Sequence, residues 1–311
     1  MTILLISFII LLIIIIGVVL YYIFSSESYK KSNKKTIPKI IWTYWEGNTM
    51  PQTVKECIAN VKRLNNNRDS KRLHKNWQVN VITNKNLNKY IPNSELPNLY
   101  YKVNIQKRSD FVRLYLLNKF GGVWIDASVI LCQNLNWVLK KQQKDNSEMV
   151  VFYMPMFTKN KKYPVIESWF IASVKGSKFI REWYHKFKNV LNGNAVSDIK
   201  RYVSDVKATT DLQGMSNLSW LDYLLIHVIA QEILQGSNTD FKISYYNAFD
   251  HAFKYNKKFN WNVNKIMEYL SGNMDSKLPY FIKLRSTERP HVDKYRPFKK
   301  GSVFEKFLKS D

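Results

Sequence analysis

Cysteine, glycine and acidic side chains are all scarce in this chain. Its two cysteines, Cys57 and Cys132, have no metal-binding spacing and offer no disulfide framework, so they fit a reducing compartment. The 24 acidic residues face 48 basic ones, which gives a formal net charge of +24. A surface this basic favours anionic ligands such as phosphates or anionic lipid headgroups. The basic residues are dispersed along the chain, so nucleic acid is not a predicted partner.

Several common signatures of nucleotide-binding and hydrolytic sites do not occur. The sequence has no Walker motif, no GxGxxG, no HExxH and no GxSxG. Kinase, dehydrogenase, zinc protease and serine hydrolase functions therefore lose their usual sequence support. The sequence also contains no internal repeat, which excludes a repeat architecture.

One long uncharged segment opens the chain. Residues 3–24 carry no charged side chain, and a helix of that length spans a hydrocarbon core of about 30 Å. A cleaved signal peptide is disfavoured, because no basic segment precedes the run and no small-residue cleavage site follows it. Lysines follow the segment closely, so the positive-inside rule places the rest of the chain in the cytoplasm. The sequence thus predicts a single-pass membrane protein with its anchor at residues 1–25.

The remainder reads as a short tether and one α/β domain. Residues 26–36 are polar and basic, and residues 37–311 alternate between strand and helix patterns. The expected strands are residues 39–43, 77–82, 123–125, 128–131, 149–152 and 169–172, and the expected helices are residues 52–64, 84–90, 103–120, 177–191 and 218–234. Prolines in the last 30 residues or so argue against regular structure there.

The most informative segment is residues 121–126, Gly-Gly-Val-Trp-Ile-Asp. Gly121 can adopt the left-handed conformation that ends the preceding helix. A short apolar strand follows and ends in Asp126, at the edge where open α/β sheets bind ligands. On the preceding helix, Asp110 and Arg113 are spaced to lie on one face. These residues together predict a ligand site at the end of the strand.

Three segments in this order resemble the capsular polysaccharide synthesis proteins: residues 40–45 (Ile-Ile-Trp-Thr-Tyr-Trp), 109–113 (Ser-Asp-Phe-Val-Arg) and 121–126. That family belongs with glycosyltransferases that have a DxD sugar-binding region, such as yeast outer-chain mannosyltransferases and the glucosyltransferase domains of clostridial toxins. The similarity covers roughly residues 37–175. It implies a GT-A-type (Rossmann-like) fold, a nucleotide-sugar donor, a divalent cation (Mn²⁺ or Mg²⁺) and retention of anomeric configuration.

The resemblance also implies roles for individual residues on the donor side. Asp110 and Arg113 would contact the donor's sugar and ribose, and Asp126 would hold the metal. The predicted donor-binding set is completed by Thr43, Tyr44, Trp45 and Gly122. Trp42 is interpreted as a core residue, whereas an aromatic ring at Tyr44 or Trp45 could stack on the nucleotide base.

The sequence departs from the DxD pattern, because it reads Asp126-Ala127-Ser128. Ser128 can ligate a metal but brings no charge, which weakens the expectation of tight metal binding. Lys283 is a candidate to neutralise part of the donor diphosphate, although an ordinary exposed lysine is the simpler interpretation.

Weaker candidates come from later in the chain. Glu167 and Ser168 resemble the segment that lines the acceptor side. His227, with Asp222 on the same predicted helix, is more simply a core histidine. His291, with Asp293 nearby, could complete a metal site near the C-terminus.

The resulting hypothesis is a membrane-anchored glycosyltransferase that moves a hexose to a polysaccharide or glycolipid acceptor in capsule or cell-surface glycan synthesis. One alternative is a Golgi-type luminal transferase, for which Asn217-Leu218-Ser219 offers a glycosylation sequence. Another is a non-catalytic sugar-nucleotide-binding scaffold, suggested by the missing second carboxylate.

Overall fold

The protein is represented by a computed structural model that describes residues 14–22, 35–47, 49–66, 76–237 and 240–308. The chain divides into two compact units, Met1–Thr36 and Ile37–Asp311. In the first unit, residues 14–22 form a helix, α1, with exposed side chains. Most of the predicted anchor and most of the predicted tether lie outside the described residues.

The predicted membrane anchor is not supported. In the parts of the chain that the structure describes, no helix is long and apolar enough to cross a membrane. The prediction of a single-pass membrane protein with a cytoplasmic catalytic domain is therefore wrong on this finding.

The second unit is built on a six-stranded mixed sheet. Its strands in spatial order are β2 (Gln78–Ile82), β1 (Ile40–Tyr44), β3 (Gly122–Ile125), β6 (Ile166–Ser173), β5 (Met149–Tyr153) and β7 (Ile243–Asn247). Strand β6 runs antiparallel to both of its neighbours, and the other pairs in this sheet are parallel. The predicted α/β class is thus confirmed.

The described part of this unit contains ten helices, and several of them cover the two faces of the sheet. They are α2 (Gln52–Asn65), α3 (Ile105–Phe120), α4 (Asn136–Asp145), α5 (Lys178–Leu191), α6 (Ser197–Thr209), α7 (Leu225–Gln235), α8 (Ala248–His251), α9 (Lys254–Lys258), α10 (Val263–Gly272) and α11 (Val303–Leu308). Short 3₁₀ turns occur at Leu87–Lys89, Asn93–Glu95, Gln213–Met215, Leu221–Leu224 and Arg289–Tyr295.

Strand β3 is buried on both faces, so successive side chains enter different cores. Val123 and Ile125 pack in one core with residues of α2 and α4. Trp124 points to the opposite core, which includes the apolar faces of α3, α5 and α7. The residue after the strand, Asp126, shares the direction of Trp124 and therefore emerges on the side of α3.

A second, two-stranded sheet joins distant parts of the chain. Strand β4 (Val129–Leu131) pairs antiparallel with β8 (Phe281–Lys283), and Val129 lies opposite Lys283. This pairing carries a late segment of the chain to the end of β3, because β4 begins only three positions after Asp126.

The sequence prediction is wrong at several elements near the C-terminus. The helix expected at residues 218–234 begins later, since a 3₁₀ turn precedes α7. The final segment, expected to be irregular, forms a 3₁₀ turn at Arg289–Tyr295 and helix α11. Pro290 is accommodated there at the first turn of a helix, where its missing N–H needs no partner.

Candidate functional site

Asp126 lies at the carboxyl end of β3, where its backbone is held to the sheet. Its N–H donates to the carbonyl of Trp169 on β6 at 2.9 Å. The side chain remains 26% exposed, which makes this buried strand end accessible to a ligand.

Two cationic side chains and an indole surround the Asp126 carboxylate. Its Oδ1 accepts from Arg113 Nη2 at 2.9 Å and from Trp124 Nε1 at 3.0 Å. Its Oδ2 accepts from Lys283 Nζ at 2.6 Å. Charge-assisted hydrogen bonds of this kind are stronger than neutral ones, so the carboxylate is held in one orientation.

Arg113 links this carboxylate to a second one. It lies on α3, and its Nη1 donates to Asp110, which precedes it by one helical turn. The two side chains are almost fully buried, with 4% and 10% of their surface exposed. The guanidinium also lies 4.8 Å from the centre of the Trp124 ring, a cation–π contact. A buried arginine held at both ends in this way offers a fixed positive charge to the site.

The pKa values of the two aspartates move in opposite directions. Burial raises the pKa of Asp110 to about 6, against the opposing effect of Arg113. Burial alone would also raise the pKa of Asp126, but Lys283 and Arg113 hold it well below the usual range. Asp126 is therefore ionised at every physiological pH, whereas Asp110 gains a proton in mildly acidic solution.

The predicted donor-binding residues after β1 occupy different environments. Thr43 is buried, and Tyr44 is buried with its hydroxyl donating to Glu46 at 2.8 Å. Trp45 is only partly buried, and the Arg289 guanidinium lies 5.1 Å from the centre of its ring. Trp45 is thus the aromatic residue of this segment that a ligand can reach.

The glycine pair and Trp42 have structural roles. Gly121 ends α3 with φ of +68°, and its carbonyl accepts from Trp42 Nε1 at 2.8 Å. Gly122 has φ of +99°, and a Cβ there would lie 2.5 Å from the carbonyl oxygen of Ile40. The interpretation of Trp42 as a core residue is confirmed, since it is 3% exposed.

Ser128 is buried, and its hydroxyl donates to the carbonyl of Leu284 at 2.8 Å. Both oxygens of Asp126 likewise accept from protein donors. A divalent cation needs several free oxygen ligands. In the described ranges, no group of three or more His, Cys, Asp or Glu side chains could hold a metal. This donor set, as arranged, does not fit the divalent cation that the family resemblance implies.

Two further predicted residues lie on β6. The pKa of Glu167 is raised to about 7, chiefly by burial, with Lys283 opposing the shift and Asp126 adding to it. Glu167 therefore lies within electrostatic range of Asp126 and Lys283. Ser168 follows it and is partly buried.

The remaining predicted site residues lie in two regions, one near Arg113 and the other near the C-terminus. His227 lies near Arg113, and burial together with that charge lowers its pKa to about 4. Its Nδ1 has no hydrogen-bond partner among the described residues. Asp222 acts electrostatically on Lys107 of α3. Asp293, by contrast, accepts from Arg296 at 2.9 Å. Its neighbour His291 is partly buried.

Sequence reasoning missed three residues near these groups. Trp220 and Tyr223 are 45% and 46% exposed and contact each other edge to face, with ring centres 6.2 Å apart. Burial and the charges of Asp110 and Asp126 raise the pKa of Tyr223, so Tyr223 lies within electrostatic range of these carboxylates. Arg289, over Trp45, is the third. No motif of the sequence indicated any of them.

Comparison with known proteins identifies the family. The family described as capsular polysaccharide synthesis protein matches residues 19–205, more than half of the chain. The chain belongs to this family. The resemblance found in the sequence is therefore confirmed, and the matched segment contains Asp110, Arg113, Asp126 and Glu167 but ends before Lys283.

Curated relatives are glycosyltransferases of fungi. The O-glycosyltransferase braB of Annulohypoxylon truncatum is 28% identical over 174 residues, which is 51% of this chain and 39% of that protein. Glycosyltransferase afumC of Aspergillus fumigatus is 24% identical, over 49% of this chain and 40% of that protein. The prediction of a glycosyltransferase is thus confirmed at the level of the family. The chain matches about two fifths of the length of these relatives.

Two solved structures align with most of the chain. PaToxG Glycosyltransferase covers 84% of this chain and 86% of its own, with 17% identity and a TM-score of 0.37. A glycosyltransferase involved in glycosylation of the major capsid of PBCV-1 covers 82% of this chain and 100% of its own, with 9% identity and the same TM-score, 0.37. Similarity at this level supports no argument about mechanism.

Proposed function

We propose that the whole protein is a glycosyltransferase with a GT-A-type domain. It moves a hexose from a nucleotide-sugar donor to a polysaccharide or lipid-linked glycan acceptor, in the synthesis of capsule or another cell-surface glycan. The observation that supports this most directly is the convergence of Arg113 and Lys283 on Asp126 at the carboxyl end of β3. Fixed positive charges at that edge suit an anionic donor.

The donor sugar and ribose belong next to Asp110 and Arg113. An ionised carboxylate accepts from sugar hydroxyls, and a guanidinium donates to hydroxyl or phosphate oxygens. Because Arg113 is fixed by Asp110 and Asp126 together, it can orient the donor with little loss of side-chain entropy on binding.

The nucleotide base belongs at the end of β1. Trp45 is accessible there and can stack on uracil or guanine, with Arg289 beside its ring. Thr43 and Tyr44 are buried beneath it and support this surface. Gly122 allows β3 to approach β1 closely, which brings the base site and Asp126 to one edge of the sheet.

The acceptor binds on the side of Asp126 that faces away from the donor. Glu167 and Ser168 lie there on β6, and the exposed pair Trp220 and Tyr223 offers apolar ring faces. Aromatic faces bury the apolar side of a sugar ring, while Glu167 can accept from its hydroxyls.

The reaction exchanges one bond at the anomeric carbon for another. The bond from C1 to the diphosphate oxygen breaks, and its electron pair stays with the diphosphate. An acceptor hydroxyl oxygen bonds to C1, and its proton passes to the departing diphosphate. The family resemblance implies that the anomeric configuration is retained. Arg113 and Lys283 stabilise the charge that develops on the leaving group.

A sugar-nucleotide-binding scaffold is the second candidate, because the DxD pattern lacks its second carboxylate and Ser128 is bonded to Leu284. The two functions differ in turnover. A scaffold would bind a donor and leave it intact, whereas a transferase releases a nucleoside diphosphate.

The test is nucleoside-diphosphate release by the purified full chain, surveyed across UDP- and GDP-sugars with a polysaccharide or lipid extract as acceptor. Wild type should release product from one donor, and Asp126→Ala should abolish that release. Binding of a donor without release from any of them would instead establish the scaffold.

A further inference from the structure

We propose that Lys283 is a built-in counter-charge for the departing diphosphate, held in place by the Asp126-Ala127-Ser128 segment, so that donor cleavage needs no divalent cation. This inference rests on the proposed transferase function and deepens it. Within this segment, Asp126 and Ser128 are positioning residues for Lys283.

The backbone on both sides of Lys283 is fixed. It lies opposite Val129 in the β4–β8 pair, and its N–H donates to the carbonyl of Ala252 at 3.3 Å. The next residue, Leu284, donates its N–H to the Ser128 carbonyl at 3.0 Å and accepts from the Ser128 hydroxyl at 2.8 Å. Ser128 therefore binds the strand that carries Lys283.

The Lys283 ammonium binds an oxygen that Asp126 would use to hold a metal. It lies 2.6 Å from Oδ2. Its positive charge opposes the binding of a second cation to the same oxygen. The third position of the motif supports this assignment of roles, because the Ser128 hydroxyl donates to the Leu284 carbonyl.

The ammonium retains capacity for a ligand. It has three N–H donors, and among the described residues it makes one side-chain hydrogen bond, to Asp126. Its side chain is 12% exposed, next to the 26% exposed Asp126. Two donors are therefore available for diphosphate oxygens, with Arg113 supplying a second positive charge nearby.

In the reaction, the diphosphate leaves with the electron pair of the C1–O bond, and its oxygen accepts from the Lys283 ammonium. Lys283 keeps its proton throughout, and the proton that the product gains comes from the acceptor hydroxyl. The lysine thus acts by charge and hydrogen bonding alone, which is the contribution a Lewis-acidic ion would otherwise make.

The experiment compares wild type with Lys283→Met and Lys283→Arg in the full chain, and Lys299→Met, an exposed lysine, is the matched control. Nucleoside-diphosphate release is measured in excess EDTA and again with Mn²⁺ or Mg²⁺. Calorimetry measures the binding of UDP and GDP to each variant in EDTA. Thermal unfolding confirms that each variant is folded.

Wild type and Lys299→Met should be equally active with and without EDTA, and Lys283→Met should lose activity by about a hundredfold or more. Lys283→Met should also bind the nucleotide about tenfold more weakly, with Lys283→Arg between it and wild type. Strict dependence of wild type on a divalent ion, or unchanged nucleotide binding by Lys283→Met, would overturn the proposal. Nucleotide binding that depends on Lys283 without any turnover would preserve the charge site and remove the transferase function.

Discussion

Lys283 and Asp126 form an ion pair of 2.6 Å although 157 positions separate them in the chain. The pair forms because β8 pairs with β4, and β4 begins shortly after the end of β3. It sets the charge balance of the site, since Asp126 faces two cations and Asp110 faces one of the same two. The C-terminal region therefore completes a site that the N-terminal half begins.

Arg113→Met should destabilise the fold strongly. The change leaves Asp110 buried without its partner, and removing one member of a buried pair costs about 3–5 kcal/mol. Urea unfolding of the two proteins measures the difference. Arg201→Met is the matched control, because Arg201 pairs with Asp198 at the same helical spacing but is 73% exposed, and it should stay close to wild type. Adding Asp110→Asn to Arg113→Met should recover part of the loss, and no recovery would contradict the paired-charge explanation.

Gly122→Ala should also destabilise the protein. Its φ of +99° is strained for an L-residue, and the new Cβ would lie 2.5 Å from the Ile40 carbonyl oxygen. A loss of at least about 2 kcal/mol in unfolding free energy is expected. Gly272→Ala, at the end of α10 with open space around it, should be neutral or raise stability by up to about 1 kcal/mol. Equal effects of the two changes would exclude a close approach of β3 to β1.

The sequence predicted the first half of the domain well because its signals are local. The strands before Asp126 and helix α3 follow from apolar patterns and from glycines that allow positive φ. The site residues Asp110, Arg113 and Asp126 lie within one helix and the strand that follows it. Their spacing predicted that Asp110 and Arg113 lie on one helix face, whereas the contact of Arg113 with Asp126 was found only in the structure.

The second half was predicted less well because its order depends on distant contacts. Strand β8 has three residues, and it is stable only as the partner of β4. The helix near residue 218 begins late because a 3₁₀ turn comes first. The membrane prediction failed because no helix among the described residues is long and apolar enough to cross a membrane. Neither Arg289 over Trp45 nor the Trp220–Tyr223 pair had a signal in the sequence.

His227 should make stability depend on pH. Burial and Arg113 lower its pKa from 6.5 to about 4, so the unfolded chain binds a proton across this range and the folded chain does not. Stability should therefore fall as the pH falls from about 6.5 to about 4, by up to about 3 kcal/mol from this residue.

Asp110 and Glu167 have the opposite effect on stability. Their pKa values are raised to about 6 and about 7 in the folded protein, so they contribute stability as the pH falls. The informative quantity is therefore the difference in slope between wild type and His227→Leu in urea unfolding. The variant should lose less stability on acidification. Identical slopes would show that His227 titrates in the folded state as it does in the unfolded chain.

The exposed aromatic pair should contribute to binding of the acceptor and not to cleavage of the donor. Replacing Trp220 and Tyr223 with alanine removes ring faces against which the acceptor can bury apolar surface. We expect the acceptor to lose about 1.4 kcal/mol of binding free energy, which raises its KM about tenfold. Donor hydrolysis in the absence of acceptor should be unchanged. Met274→Ala, another exposed apolar residue, is the control and should leave both parameters unchanged. A loss of donor hydrolysis in the aromatic variant would place the pair on the donor side instead.

The most direct test of the central claim is mass spectrometry of a saccharide acceptor after incubation with the full chain and the preferred nucleotide sugar. The acceptor should gain the mass of one hexose for each nucleoside diphosphate released, and Asp126→Ala should give neither product. Diphosphate release without a heavier acceptor, or equal product from Asp126→Ala, would contradict glycosyl transfer at this site.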